Sequence, residues 1–489
     1  MSDNNELNDM NPNQLSMTGE GFENGLHAEL VESMDEAFWE PTDWEVYLGK
    51  LPIADKHLPS VMRENVQCAP ANRKIPVFLT CAVCLAALAT RLRFQYPFEK
   101  RLHMPLLYLI IEGEPSSGKG FANEIVSQIM GPTLTEHDNA QRRLEQEYRE
   151  KKQSRKANEK IGPAPKTIIR EIPANVSKTV LVKRADMCER ILGDTLTFFM
   201  YAEELAQLTD AGSQSYSQLR TLTRVAWDLG SKFGLDFASD NSYSAIVDIN
   251  MCYLFLATPN DVDDYMIKKS IMGGNVTRNI IYSIEDDLGS SAAEFKSLTA
   301  AQQANINKTL QRIMDDTYLE DNVLAPIIMM DMSWLEKDVR RWCEEKRLRG
   351  LAGTSDSYRV FYKRSSLSAY RIVAVCKYLY DIEGVDELTA QRRCRKLYRW
   401  LAELIHTNLL NRWGERYDTY EREKKKSEPV GGRIPLFDQL SKTFTRDQLQ
   451  QLIVKNEFNT PLRVVLSKWR TQGWIRQVQK NVFEKCSQP

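Results

Sequence analysis

Little in this sequence points away from a reducing, aqueous compartment. Its nine cysteines are scattered, and the closest two, Cys81 and Cys84, lie in an apolar run with no histidine nearby. That argues against a metal centre and for buried free thiols. Long hydrophobic runs are also missing. The longest, Ile75 to Thr90, has 16 residues and includes Pro76, too short for a convincing membrane span and suited to a core helix. The first residues are acidic and polar rather than basic and apolar, unlike a secretory leader. These absences predict a soluble cytoplasmic protein without a membrane partner. Net charge is nearly absent too, at −1, but the balance hides an asymmetry. Residues 1–40 hold ten Asp or Glu and no Lys or Arg, whereas residues 391–426 hold eleven Lys or Arg against five acids.

A chain of 489 residues has room for two or three domains. The stretch that organises it runs from Leu106 to Met130, LLYLIIEGEPSSGKGFANEIVSQIM. Leu107 to Ile111 reads as a buried strand. Gly113, Pro115 and Gly118 then force a loop, and Ile125, Val126, Ile129 and Met130 fall at helical spacing. Strand, glycine loop, Lys119 and helix is the context that a G-x-x-x-x-G-K phosphate loop needs. The loop Gly113, Glu114, Pro115, Ser116, Ser117, Gly118, Lys119, Gly120 and Phe121 surrounds phosphate oxygens, every residue but Pro115 having a backbone N–H to offer, and Lys119 reaches the terminal phosphates. The expected ligand is ATP with Mg2+. One position departs from the motif, because Gly120 stands where Ser or Thr would hold the metal. A water on the metal, Ser116 or Ser117 are the alternatives for that role.

Residues 1–36 read as a disordered acidic arm, and residues 37–101 as a helical collar cut by prolines. The nucleotide core spans 102–285, with a charged helical insertion at 139–160. Within it, Thr195–Tyr201 is the next buried strand and ends in Glu203 and Glu204. An apolar strand running into two carboxylates suits a metal-and-base pair, with Glu203 holding Mg2+ and Glu204 polarising the attacking water. Lys232–Ala238 and Ser242–Ile249 read as a hairpin. The apolar strand Met251–Ala257 ends in Thr258-Pro259-Asn260, and Thr258 or Asn260 at its tip is placed to sense the terminal phosphate or to cap a turn. Gly273-Gly274 lead to Arg278, a candidate finger for a neighbouring subunit's phosphate.

Residues 286–414 read as a helical lid or bundle, and 415–432 as a charged linker. Residues 433–489 form a coherent last unit. A short helix, Pro435–Phe444, is followed by a capping box at Thr445-Arg446-Asp447-Gln448. A turn, Asn456 to Asn459, leads to a helix capped by Thr460 with Leu462, Val465, Leu466 and Trp469 on one face. A hairpin about Gln479-Lys480 completes a winged helix-turn-helix. Arg463, Lys468, Arg470, Arg476 and Lys480 make its exposed side basic, as phosphate contacts require.

The motifs YLIIEGEPSSGKG, FFMYAEELAQL, YLFLATPND and GGNVTRNIIYSIE, in that order over roughly residues 50–380, resemble a helicase-like P-loop family of unknown function from bacterial mobile elements and phages, related to virulence-associated E proteins and superfamily 3 helicases. The resemblance implies an α/β P-loop NTPase core of the AAA+ kind with helical collar, helical lid and carboxy-terminal winged helix. It gives Lys119, Glu203, Glu204, Asn260 and Arg278 the phosphate, metal, base, sensor and finger roles. A glycine at the Gly120 position is associated with some members from gut bacteria. No primase-like cluster precedes the core, so priming would belong to a separate primase or initiator. The expected function is a DNA helicase or translocase of a mobile element, a hexameric homo-oligomer, with single-stranded DNA in its pore and duplex or forked DNA at the winged helix. The alternatives are a nucleotide-switched DNA-binding regulator and a non-hydrolysing assembly or loader scaffold.

Overall fold

The structure, a computed structural model, describes residues 48–155, 160–205, 221–236, 243–285, 294–320, 323–352, 355–427, 437, 439–455, 461–471 and 473–486. The acidic arm, the Asn456–Asn459 turn and Thr460 lie outside the described residues. The chain divides into two units, residues 1–414 and 415–489.

In the first unit, helices α1 (Ser60–Cys68) and α2 (Lys74–Leu88) lead into strands β1 (Leu92–Tyr96) and β2 (Glu99–His103). Strand β3 (Tyr108–Glu112) and helix α3 (Phe121–Met130) flank the glycine loop. Helix α4 (Glu136–Gln153), strand β4 (Glu171–Pro173), helix α5 (Lys178–Leu192) and strand β5 (Thr197–Ala202) follow. Next come β6 (Lys232–Leu235), β7 (Ala245–Asp248), β8 (Asn250–Ala257), the short helices α6 (Pro259–Tyr265) and α7 (Lys268–Met272), and β9 (Asn279–Ser283). Helices α8 (Ala300–Asp315), α9 (Glu336–Ala352), α10 (Asp356–Ile382) and α11 (Glu387–Leu409) finish the unit.

Five strands form one all-parallel sheet in the order β4-β5-β8-β3-β9, giving an α/β core with flanking helices. The strands are near-continuous apolar runs because a parallel sheet is covered on both faces. β3, β5 and β8 have scarcely a solvent-touching residue, and Tyr108, Tyr253 and Phe255 stack across β3 and β8 at centroid distances of 4.1 and 4.3 Å. Starting at β3, the chain visits the far edge, returns through β5 and β8, and crosses to β9. Met251–Ala257, within β8, thus lies directly beside β3, and β6 and β7 pair antiparallel as the expected hairpin requires.

Two stretches differ from expectation. The region 37–101 is not a separate helical collar over its described part. α2 is apolar on every side and packs directly on β3, β5 and β8, so it is a layer of the core; a helix without a polar face has to be buried. Among the described residues one window is long and apolar enough for a membrane span, Ala71–Leu88, and 83% of it is buried inside the protein. The end of the region is the β1–β2 hairpin, whose β1 also pairs in parallel with Ile328–Met329. Residues 286–414 are likewise more than a lid: α11 packs on β9 and α10 on α2. The charged linker 415–432 begins where the two units divide, and Glu415–Ser427 within it is helical. Its long-side-chain charged residues are good helix formers.

The charged helix α4 forms as expected but is held along one side. Buried Asp138 accepts the Arg170 and Glu171 backbone N–H groups at 2.7 and 2.6 Å, and Glu145 pairs with Arg184 and Thr167. All nine cysteines are free, and only Cys486 is exposed. Burial pushes the Cys188 thiol up to about 11, in keeping with inert core thiols.

Two histidines make the fold acid-sensitive. Burial, followed by the charge of Lys346 for His406 and Arg371 for His103, pulls both from 6.5 to about 4. Between those values the unfolded chain binds protons that the folded chain refuses, so stability is full above pH 6.5 and falls as pH drops toward 4. The urea midpoint of the first unit is expected to be lower at pH 5 than at pH 7, with His406→Gln shrinking the difference. An equal drop in that variant would clear His406 of the effect.

In the second unit, β10 (Thr443–Thr445), helices α12 (Arg446–Lys455) and α13 (Leu462–Thr471), β11 (Ile475–Gln479) and β12 (Val482–Lys485) surround one small core. The sheet is antiparallel, with β12 between β10 and β11. Trp469, Val465, Phe444, Leu449 and Phe483 fill its centre. The capping box is present: the Thr445 hydroxyl accepts the Gln448 N–H at 3.2 Å, and Gln448 Oε1 accepts the Thr445 N–H at 2.8 Å. The expected helix Pro435–Phe444 is shorter at its end, because Thr443 and Phe444 pair with Glu484 and Phe483 as a strand. The hairpin turn lies one residue later than expected, with Asn481 at φ 64°, a conformation asparagine tolerates.

Candidate nucleotide site

β3 ends in buried Glu112, and the chain turns into the loop at Gly113. A side chain at Gly113 would bring its Cβ to 2.5 Å from Ser117 Oγ and 3.3 Å from Ile284 Cβ, so one would fit only if Ser117 turned away and its neighbours gave slightly. Ser116 and Gly118 have φ of 66° and 74°. These left-handed residues turn the loop's backbone into a concavity of the kind that takes anions. For Ser116 that backbone conformation costs about 1–2 kcal/mol, an expense typical of functional loops. The ammonium of Lys119 folds back on the loop, donating to the Gly113 and Glu114 carbonyls at 2.6 and 2.9 Å and to Ser117 Oγ at 3.3 Å. Burial lowers the Lys119 pKa, opposed by the charges of Glu114 and Asp261. The loop is open: Glu114, Pro115, Ser116, Gly118 and Gly120 are exposed, while Phe121 is buried against Phe295 at 5.7 Å.

Gly120 begins α3 at φ −60° and ψ −16°. That is ordinary right-handed backbone, and an added Cβ would meet nothing within 4 Å. Neither conformation nor space requires glycine there, so the missing hydroxyl is a chemical departure only. Gly120→Ser is expected to change stability by less than about 0.5 kcal/mol and to raise Mg2+-dependent ATP turnover several-fold, read as kcat at saturating Mg2+. Unchanged turnover would assign the metal contact to water, Ser116 or Ser117.

Parallel pairing carries the other carboxyl-edge residues to the same end. Ala202 aligns with Phe255, and Glu112 with Ala257, so exposed Glu203 and Glu204 come level with the start of the loop, two strand spacings or roughly 10 Å away. Gly113 N–H donates to the Ala257 carbonyl at 3.1 Å. Thr258 is taken up in capping α6, sharing a capping box with Asp261, which leaves exposed Asn260 as the sensor candidate at that tip. Mg2+ bound with a nucleotide takes phosphates and waters plus one or two protein oxygens. Glu203 can supply one such oxygen; Gly120 has no side-chain oxygen, and its carbonyl accepts the Asn123 N–H at 3.0 Å.

Arg278 does not join this group. It precedes β9, whose first residue Asn279 pairs with Tyr108 at the start of β3, and five residues of strand, roughly 16 Å, separate that edge from the loop. It donates to the Gly274 carbonyl at 2.8 Å and faces the Trp227 ring at 5.6 Å. Burial, then the charge of Arg364, disfavours its protonated form. Lys232, at the base of the β6–β7 hairpin, is exposed and lies 3.4 Å from Asp248.

Sequence patterns miss three residues at the loop. Arg73 donates to the Ser117 carbonyl at 2.9 Å. Arg412, in the turn after α11, brackets Glu112 with two contacts of 3.0 Å and also reaches Asp263 and the Pro259 carbonyl at 2.8 and 3.0 Å. Asp261 influences Lys119 by charge. Arg73 and Arg412 come from distant segments without a motif, whereas Asp261 was visible as the acid of a Thr-x-x-Asp cap.

In the second unit Arg463, Arg470, Arg476 and Lys480 are exposed and Lys468 is half-buried. Arg476 is bound to Glu484 at 2.8 and 2.9 Å, and Arg470 contacts Gln477 and lies 5.1 Å from the Phe483 ring. Lys485 donates to the Leu440 carbonyl at 2.6 Å. The basic side is thus narrower than its composition, and Arg463, Lys468 and Lys480 carry most of it.

No protein-family model matches the chain, and no curated protein matches it.

Proposed function

We propose that this chain is an ATP-dependent DNA helicase or translocase built on an α/β P-loop core. The observation that carries the reading is the carboxyl edge of the parallel sheet. There the strand–loop–helix unit with Lys119 drawn onto the loop shares one end with Glu203, Glu204 and Asn260. Ligands of open α/β sheets bind at such an edge, where neighbouring connections depart in opposite directions. The loop N–H groups and Lys119 would hold the phosphates of ATP, Glu203 the Mg2+ carried with it, and Glu204 would orient the attacking water. When bound, Mg2+ supplies charge neutralisation of the developing phosphate oxygens. Arg278, on the far edge from its own loop, would serve a neighbour's nucleotide in a ring, a hexamer. The second unit is read as a winged helix engaging duplex or forked DNA through Arg463, Lys468 and Lys480. A mobile-element replicative helicase acting in the cytoplasm beside a separate primase is the particular form the resemblance favours. Gly120 favours a second reading, a nucleotide switch that binds without turnover.

Neutralising Arg463 and Lys480 together is expected to weaken binding of forked DNA and to lower the slope of log affinity against log salt by about 1.8, two phosphate contacts at about 0.9 each. Fluorescence anisotropy across a salt series measures it. An unchanged slope would remove DNA contact from that face.

A further inference from the structure

The amino-terminal edge of the sheet, opposite the phosphate loop, carries more positive charge than its surroundings neutralise. The buried Trp227 ring is faced by Arg371, Arg364 and Arg278 at 3.7, 4.7 and 5.6 Å. Its place is fixed by the Ala226 carbonyl, which accepts the Met251 N–H at the start of β8, and by Arg371, which donates to Leu106 just before β3. The neighbouring carboxylate, Asp228, is shared among Arg101 at 3.0 Å, Arg371 at 3.8 Å and Arg364 at 4.0 Å. Arginine keeps its charge even when buried, so this surplus is not relieved by losing a proton. The Nε atoms of Arg278 and Arg371 and the indole N–H of Trp227 are buried with no hydrogen-bond acceptor.

Arg364 also lines a cleft of about 430 Å³ between the β1–β2 hairpin and helices α9 and α10. Such a volume holds a nucleotide-sized ligand. One wall is Phe98, 51% exposed, with the Arg340 guanidinium 5.1 Å from its ring; Tyr362 forms another. Of the two acids lining the cleft, Glu344 is held by Arg347 at 2.6 Å and Glu99 by Arg101 at 2.5 Å. Lys363 is exposed and has no carboxylate partner among the described residues. Arg340 is paired with Glu336 at 2.7 Å and Arg364 shares Asp228 with two other arginines, so Lys363 and the part-neutralised Arg364 leave net positive charge beside aromatic and guanidinium planes, which suits single-stranded nucleic acid: a stacking surface for bases and charge for the backbone.

We propose that this cleft docks single-stranded DNA on the core unit itself, a base stacking on the Phe98–Arg340 pair while the flanking phosphate meets Lys363 and Arg364. The surplus charge around Trp227 raises the local potential that draws the strand in. The inference rests on the reading of the chain as a DNA-dependent ATPase and adds a binding site to it, separate from both the phosphate loop and the second unit.

The test is photocrosslinking of the full chain to an oligothymidylate carrying 5-iodouracil, with peptide mapping, on wild type and on Phe98→Ala combined with Lys363→Ala. Both positions are exposed, so the double variant is expected to fold and to keep its DNA-free ATP turnover. Crosslinks at Phe98 or Tyr362, and a roughly tenfold loss of oligothymidylate affinity in the double variant, are the expected results. Crosslinks confined to residues 463–485 with unchanged affinity, or displacement of the cleft crosslink by free ATP alone, would overturn it. If DNA still stimulates turnover in that case, only the cleft is refuted. No DNA binding and no turnover at all would sink the wider reading as well.

Discussion

Replacing Lys119 with alanine is expected to reduce ATP turnover by roughly 100- to 1,000-fold, the scale on which a single preorganised donor acts at developing charge. The loop around it is held by other contacts besides the ammonium's own three hydrogen bonds. Gly113 is fixed by the Ala257 carbonyl, and Ser117 by the Glu114 carbonyl at 3.1 Å and by Arg73. The ammonium sits on a loop with these other supports, bound to two carbonyls that a phosphate oxygen can replace as its partners. The variant should keep its melting temperature while losing both nucleotide affinity and kcat, read by a coupled hydrolysis assay and by titration with a fluorescent ATP analogue. Wild-type turnover in Lys119→Ala would take the loop out of the chemistry.

Arg412→Ala is expected to be the most damaging single change to the core unit, at about 3–5 kcal/mol, because breaking a buried ion pair strands the other charge. Glu112 is 3% exposed, and without Arg412 the Ser283 hydroxyl at 2.6 Å is its remaining side-chain partner. The same guanidinium ties the start of α6 to the end of β3 through Pro259 and Asp263, so its loss also loosens the tip that carries Asn260. Glu112→Gln paired with Arg412→Met should recover much of the stability, since a matched neutral pair leaves no buried charge. Urea denaturation of the two single variants and the double variant measures the coupling. Additive losses would mean the pair acts as two independent residues.

What the sequence disclosed follows from what is local. The run Leu107–Ile111, the spacing of Gly113 and Gly118 and the apolar stripe of α3 lie within one stretch of 25 residues, and each element formed where its own pattern put it. The same holds for the Thr445–Gln448 box and the Trp469 face of α13. The order of strands in the sheet is not a local property; nothing in Met251–Ala257 says that it lies between the strands ending at Glu112 and Ala202. Arg412 is 300 positions from Glu112, and no spacing rule connects them. One misreading was avoidable. The apolar run of α2 does form the core helix it was suited to, but Leu92-Arg93-Phe94-Gln95-Tyr96, taken with the helical collar, alternates as a strand before Pro97. Among the expected site residues, the carboxyl-edge set converges through parallel register, whereas Arg278 lies at the other edge because it precedes its strand.

The most direct measurement is steady-state ATP hydrolysis by the full chain with and without single-stranded DNA, beside Glu204→Gln. The account predicts turnover that DNA stimulates and that the glutamine removes while nucleotide binding persists. Tight ATP binding with no turnover in either condition would contradict it and leave the nucleotide switch, built on Gly120, as the reading to pursue.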